Sequence, residues 1–296
     1  MRIRYAIPVV VSLTLAIVSA GAIGAGSFYS VAEDAKPQVL DYSYGSNPAQ
    51  NLDLYLPASA AAAKPGQALT PTIVFVHGGS WTSGDKEDMQ EAAQAAVDLG
   101  YVAISLNYRL APQHRWPAQR RDVVAALRWI HSHAPDLHVD RSRIVVIGSS
   151  AGGEVAAAAL TQGAGRKLAR GLVTLSAPVD FALVTKNTML TRLSADLAQA
   201  LTEDLINCAP EACEAMAENR AIFHKIDAKD PPMLIFAGNR EWVDPQGAIR
   251  LHQVNLAAGV PSRLIVFDSR QHGMGLFDDA WPIAAAWIAE RMAAPS

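Results

Sequence analysis

Cysteine is nearly absent: the 296 residues contain two, Cys208 and Cys213, both in the hexapeptide CAPEAC. No second Cys or His pair stands at a spacing that would complete a metal site, so a metal pair is disfavoured. A local disulfide in an oxidising compartment is the expectation. So short a loop puts the expected stabilisation at the small end of the usual range for disulfides. Clustered positive charge is also lacking. Lys and Arg total 25 against 28 Asp and Glu, a formal net charge of −3, and they are scattered along the chain. That excludes the basic stripe that nucleic acid requires and favours a small or neutral partner.

A third absence is local. Between Arg4 and Glu33 the chain carries no charged residue, and 6–26 is mostly apolar. Arginines ahead of an apolar run followed by the small-x-small pattern Ala20-Gly21-Ala22 read as an export signal. As a helix the run would reach about 31 Å at about 1.5 Å per residue, enough to span a bilayer, so membrane attachment through 6–26 is the competing expectation. Pro8, Ser12, Thr14 and several glycines make it a poor permanent span and favour cleavage.

What is present after residue 26 is a chain of which half is hydrophobic, enough for one large core. Apolar bursts rich in Val and Ile recur as TIVFVH (72–77), YVAISLNY (101–108), RIVVIG (143–148), GLVTLSA (171–177), MLIFAG (233–238) and RLIVF (263–267). Their continuous apolarity predicts strands buried on both faces, hence a parallel sheet covered by helices. Two earlier segments, 39–44 and 52–56, alternate and predict antiparallel edge strands. A helix is predicted to start near Pro117, with Val123, Leu127 and Ile130 inward and Arg120, Arg121, Asp122 and Arg128 on a polar face. The Ala-rich 59–64 stretch reads as a surface loop. The alternation as a whole predicts one α/β domain over 27–296. From about 181 to 230 the rhythm fails for about fifty residues, longer than ordinary connections; this predicts a lid-like insertion, where Met189, Leu193 and Met216 pack the cap or line an acyl pocket.

The burst RIVVIG runs into Gly148-Ser149-Ser150-Ala151-Gly152, and the helical EVAAAAL follows. Gly-x-Ser-x-Gly at a strand-to-helix turn is a nucleophile elbow, which selects Ser150 over Ser149. A serine hydroxyl needs a base, an acid to orient the base, and fixed donors for the oxyanion. Of eight histidines, His272 in DSRQHGMG follows the last strand, where the order Ser, acid, His requires it. His131 and His133 lie near a helix end; His138, His224 and His252 read as surface residues; His114 precedes the serine. For the acid, the loop NREWVDP offers Glu241, near the strand end, and Asp244, whose place before Pro245 suits a helix N-cap. Asp180 is a third candidate. For the oxyanion, VFVHGGSW brings Gly78 and Gly79 to the end of a strand, and their N–H groups would join that of Ala151. His77 reads as a support for that loop.

The set HGGSW, NYRLAPQHRWPAQRRDVVAALRWI, GSSAGG, PPMLIFAGNREWVDP and HGMG resembles the α/β-hydrolase fold, and within it the hormone-sensitive-lipase-like carboxylesterases. The resemblance covers about 38–292. It implies a mostly parallel sheet of about eight strands with helices on both faces, a small-molecule ester substrate, and no metal or organic cofactor. Three departures matter. Ser80 stands where the commonest oxyanion motif has a third glycine, and HGGSW also resembles the HGGxW pattern of kynurenine formamidases, so an arylformamide is the alternative substrate. Glu241 replaces the usual Asp. Glu154 replaces the His, Asn or Gln usual after the double glycine and would place an anion in the first turns of the elbow helix, where the dipole tolerates it. A binding protein that keeps the fold without catalysis is the third reading, opposed by the intact Ser150 and His272.

Overall fold

The computed structural model describes residues 38–180 except 65 and 68, residue 183, and residues 200–207 and 222–293. The 6–26 segment, both cysteines, Met189, Leu193, Met216 and most of 181–221 lie outside the described residues. Among the described residues no helix is long and apolar enough to cross a membrane.

Eight strands form one sheet: β1 (Gln38–Ser43), β2 (Asn51–Leu56), β3 (Thr70–Val76), β4 (Val102–Leu106), β5 (Val139–Ser149), β6 (Gly171–Leu175), β7 (Met233–Gly238) and β8 (Ser262–Phe267). Their spatial order is β1-β2-β4-β3-β5-β6-β7-β8. β1 and β2 pair antiparallel, as do β2 and β4; every other pairing is parallel. The described helices of α type are α1 (Ala58–Ala61), α2 (Gln90–Asp98), α3 (Ala118–Ser132), α4 (Ala151–Leu160), α5 (Pro245–Ala257) and α6 (Phe277–Ala293).

The continuous apolar bursts have a direct cause. Successive strand side chains point to opposite faces, and here both faces are covered. Val74 and Val76 of β3, with Ile144 and Val146 of β5, pack with Val123, Leu127 and Ile130 of α3 and with the alanines of α4. Ile73 and Phe75, with Val145 and Ile147, pack on the other side against Ala92, Ala93 and Ala96 of α2 and Ala284, Trp287 and Ile288 of α6. Fully burying one such aliphatic or aromatic side chain is worth about 1.5–3 kcal/mol, so the centre of the sheet is a stiff platform.

The structure corrects the sequence reading in five places. β2 is no edge strand: five of its six residues are buried, because β1 covers its outer side. β1 and β8 are the edges, and the residues of β8 are only half-buried or exposed. Part of the Ala-rich stretch forms the short helix α1, in keeping with alanine's helix propensity. His138 is buried, not on the surface. Asp122 does not lie on a polar face of α3; it is 1% exposed. It accepts from the Arg109 guanidinium at 2.8 and 2.7 Å, the Arg109 backbone N–H at 3.0 Å and Gln50 Nε2 at 2.7 Å. Four donors on one carboxylate offset its desolvation, and they tie the segment after β4 to α3.

Removing Asp122 leaves the Arg109 guanidinium, 26% exposed, together with the Arg109 backbone N–H and the Gln50 amide, without their shared acceptor. Asp122→Ala should therefore cost about 1–3 kcal/mol in urea unfolding. Asp268→Ala, which breaks the exposed Arg240–Asp268 pair, should cost less than about 1 kcal/mol. Equal losses would mean that Asp122 has no special structural weight.

Candidate active site

Ser150 stands between the end of β5 and the start of α4 with φ 51° and ψ −125°. Such a backbone costs a non-glycine residue about 1–3 kcal/mol and persists only where its surroundings fix it. The fixing contacts are specific. The Ser150 N–H donates to the Leu175 carbonyl at 2.8 Å, and the Ser150 carbonyl accepts from the Gly153 N–H at 2.9 Å. Gly152 has no room for a side chain: a Cβ there would stand 2.1 Å from the His77 carbonyl oxygen. The glycine lets α4 lie directly against the end of β3, where the oxyanion loop begins.

His272 reaches Ser150 from the loop after β8. Its Nε2 lies 2.7 Å from Ser150 Oγ, and its Nδ1 is bonded to Glu241 Oε2. A carboxylate on Nδ1 selects the tautomer with hydrogen there, which leaves the Nε2 lone pair to accept the serine proton. Glu241 Oε1 accepts from the Gly238 N–H at 2.6 Å, and the Glu241 side chain is fully buried. The extra methylene of Glu is accommodated by folding the carboxyl back onto the end of β7. Asp244 does not take part: it caps α5, accepting from the Gln246 N–H at 2.9 Å, with Pro245 in the first turn. Asp180 pairs with Arg250 at 2.9 Å. His114 faces the Asn47 amide at 3.5 Å.

The double glycine lies beside the serine. A Cβ on Gly78 would be 3.1 Å from Ser150 Cβ, and Gly79 adopts φ 108°, a region L side chains rarely enter. Ala151 is the first residue of α4, where N–H groups lack helical acceptors. The structure thus brings Gly78 and Ala151 to the serine, with Gly79 next in the loop. His77 supports that loop: its ring stacks on Tyr108 at 4.4 Å, and Nδ1 bonds the Gly78 carbonyl at 2.7 Å. Burial pushes the His77 pKa down, so the ring is neutral and Nδ1–H donates. Tyr108 donates to the His77 carbonyl at 2.9 Å.

Four participants were not assigned a role from the sequence. Trp242 packs its ring 4.1 Å from that of His272. Ser176 accepts from the Gly273 N–H at 3.0 Å and so holds the residue after the histidine. Trp242 lies inside the acid loop NREWVDP, which gives its place but not its contact, and nothing in the linear pattern marks Ser176. Trp81, the last residue of HGGSW, buries its indole and donates to Glu154 Oε2 at 3.1 Å. Tyr108 sits in the NYRLAP motif, which gives its place but not its contact. Glu154 also corrects the expectation of an anion: burial pushes its pKa up to about 8, opposed by the Trp81 hydrogen bond, so at neutral pH the carboxyl is mostly protonated.

The profile of the BD-FAE family matches residues 52–254. Carboxylesterase NlhH of Mycobacterium tuberculosis is 44% identical over 88 residues, 29% of this chain and 28% of that protein. Carboxylesterase 20 of Arabidopsis thaliana is 38% identical over 112 residues, 36% of this chain and 34% of that protein. The aligned stretch thus spans about a third or less of these relatives. Among solved structures, a truncated carbohydrate esterase from gut microbiota has a TM-score of 0.70 at 24% identity, covering 88% of this chain and 97% of that one. EstE1, a thermostable carboxylesterase from a metagenomic library, has a TM-score of 0.70 at 23% identity, covering 88% and 90%. These likenesses establish the α/β-hydrolase fold.

The buried Glu154 carboxyl gives the site a stability signature. Its pKa rises from an ordinary 4.5 to about 8 on folding, so its contribution is fully present below pH 4.5 and is lost as pH rises toward 8. Glu154→Gln removes this loss. The melting temperature of the variant should rise relative to the parent from pH 5 to pH 8; a difference constant across that range would show that Glu154 ionises normally.

Proposed function

We propose that this chain, which belongs to the BD-FAE family, is an exported serine carboxylesterase acting on small to medium carboxylic esters. The observation that carries the reading is the linked series Glu241, His272 and Ser150, with Nε2 at 2.7 Å from Oγ. The named carboxylesterases among its relatives and the folded carboxyl of Glu241 support it.

In this mechanism Ser150 Oγ attacks the ester carbonyl carbon while His272 Nε2 takes the hydroxyl proton. The charge that develops on the carbonyl oxygen is held by the N–H groups of Gly78, Gly79 and Ala151, each donor worth about 2.7–4 kcal/mol. The bond to the leaving alkoxide breaks, His272 returns the proton to it, and an acyl-Ser150 remains. Water then attacks with His272 again as base, which releases the acid and restores the serine. Glu241 holds the ring tautomer and stabilises the imidazolium that forms in each half-reaction.

The HGGSW loop supports amide hydrolysis of an arylformamide as the second reading, since both bonds pass through the same tetrahedral oxyanion. A higher kcat/KM for N-formylkynurenine than for p-nitrophenyl acetate would replace the ester reading. Export is part of the proposal through the 1–26 segment: a mature protein whose mass fits a start near Ile23 agrees with it, and an intact N-terminus indicates an anchor.

Three variants test the roles in p-nitrophenyl acetate hydrolysis. Ser150→Ala should lose at least about 10⁴-fold in kcat, and Glu241→Gln roughly 10³–10⁴-fold, because the wrong tautomer is then favoured. Asp244→Asn, a change at a helix cap, should stay within about threefold. A reversal between Glu241 and Asp244 would move the acid; parental turnover in Ser150→Ala would remove the serine mechanism.

A further inference from the structure

Glu154 lies four residues after the nucleophile, and its own N–H donates to the Ser150 carbonyl at 3.3 Å. It is therefore one helical turn from the elbow, about 6 Å along the axis at 1.5 Å per residue. Its carboxyl does not point to solvent; the residue is 1% exposed. It reaches across to Trp81, whose indole is fully buried and donates to it at 3.1 Å. Trp81 has φ 63° and the preceding Ser80 φ 50°, two successive non-glycine residues in the left-handed region. Such a pair persists only where its surroundings fix it, since L side chains rarely adopt that conformation. The Trp81 carbonyl is fixed from the other side by the Ala111 N–H at 2.9 Å, and Gly79 is fixed by bonds from Thr82 and Ser83 to its carbonyl at 3.1 and 3.0 Å.

The two halves of the oxyanion site come from different elements. Gly78 and Gly79 belong to the loop after β3; Ala151 belongs to α4. Correct spacing between their N–H groups needs something that spans both, and the Trp81–Glu154 bond does so. We propose that Glu154 is a positioning residue for the oxyanion site, holding the Gly78–Gly79 loop in register with Ala151 through the Trp81 indole, and that it must be uncharged to do so without opposing the oxyanion. This rests on the serine-hydrolase reading. The neutral form fits the burial of the carboxyl, which raises its pKa.

Among the described residues, the groups around it do not supply a compensating cation. Tyr108 faces it from the segment after β4, and the two repel when ionised. His77, stacked on Tyr108, is held neutral by burial. Asp88 acts on both Tyr108 and His77, Asp85 acts on His77, and each adds negative potential. When Glu154 ionises, an anion thus appears in the first turns of the helix that opens at Ser150, on the Trp81 side of the oxyanion loop. Its repulsion there should lower turnover by about tenfold or more.

The test uses the intact protein and p-nitrophenyl acetate, with spontaneous hydrolysis subtracted, and a trifluoromethyl ketone that forms a hemiketal oxyanion on Ser150. Trp81→Phe and Glu154→Ala should each lower kcat by roughly 10- to 100-fold, up to the loss of one oxyanion donor. KM should change less than about threefold, while the ketone weakens by the same factor as kcat. Glu154→Gln, which keeps an acceptor for the indole, should restore most of the loss at pH 7 and abolish the parent's decline in kcat above pH 8. Parental kcat in a folded Trp81→Phe, or an alkaline decline retained in Glu154→Gln, would overturn the proposal. Should Trp81→Phe not fold, the pH profile of Glu154→Gln decides alone. Turnover that survives Ser150→Ala would instead strike the serine mechanism itself.

Discussion

The sharp turn at Ser150 is the constraint on which the rest of the site depends. A serine at φ 51° and ψ −125° is strained by about 1–3 kcal/mol, and an isolated loop would relax it. It is retained because β5 is central in the sheet, flanked by β3 and β6, and α4 is buried along its whole length. Relaxing the turn would shift α4 relative to β3, against a contact so close that only glycine fits at 152. Many buried side chains, each worth about 1.5–3 kcal/mol, oppose that shift. The strain at one residue is small beside the packing that it would disturb.

Two buried glutamates then receive different chemistry from their neighbours. Glu241 accepts from the Gly238 N–H and bonds the imidazole, so its charge is met by a donor on each oxygen. Glu154 meets one indole N–H and no cation among the described residues, and burial dominates its titration. In the proposed roles, hydrogen-bond partners rather than residue type separate the carboxyl that orients a base from the one that tethers the oxyanion loop. The same reasoning separates Asp244, whose acceptor is used by the first turn of α5, from the triad.

Much of this was legible in the sequence because the relevant physics is local. Continuous Val and Ile runs mark strands covered on both faces, and Asp244-Pro245 marks a helix start. The Gly-x-Ser-x-Gly spacing selects Ser150, and chain order selects His272. What escaped depends on partners distant in sequence. Asp122 has a polar pattern on its helix, yet Arg109 and Gln50 draw it inside. The apolarity of RLIVF does not say that β8 is the last strand. Ser176 and Trp242 look ordinary until the loop after β8 folds onto them. Glu154 reads as an anion tolerated by a helix dipole because its Trp81 partner lies 73 residues earlier.

The strand order also divides the chemistry in space. The oxyanion loop leaves β3 on one side of β5; the acid and the histidine leave β7 and β8 on the other. In the proposed mechanism, an ester carbonyl bound at Ser150 would therefore have its charge held from one side and its protons moved from the other. The two halves meet at Ser150, between β5 and α4. Their separation by the strand order accounts for how one chain accommodates a longer acid at Glu241 on the proton-transfer side and Ser80, Trp81 and Glu154 on the oxyanion side. Departures that would conflict within one cluster are tolerated when the sheet keeps them apart.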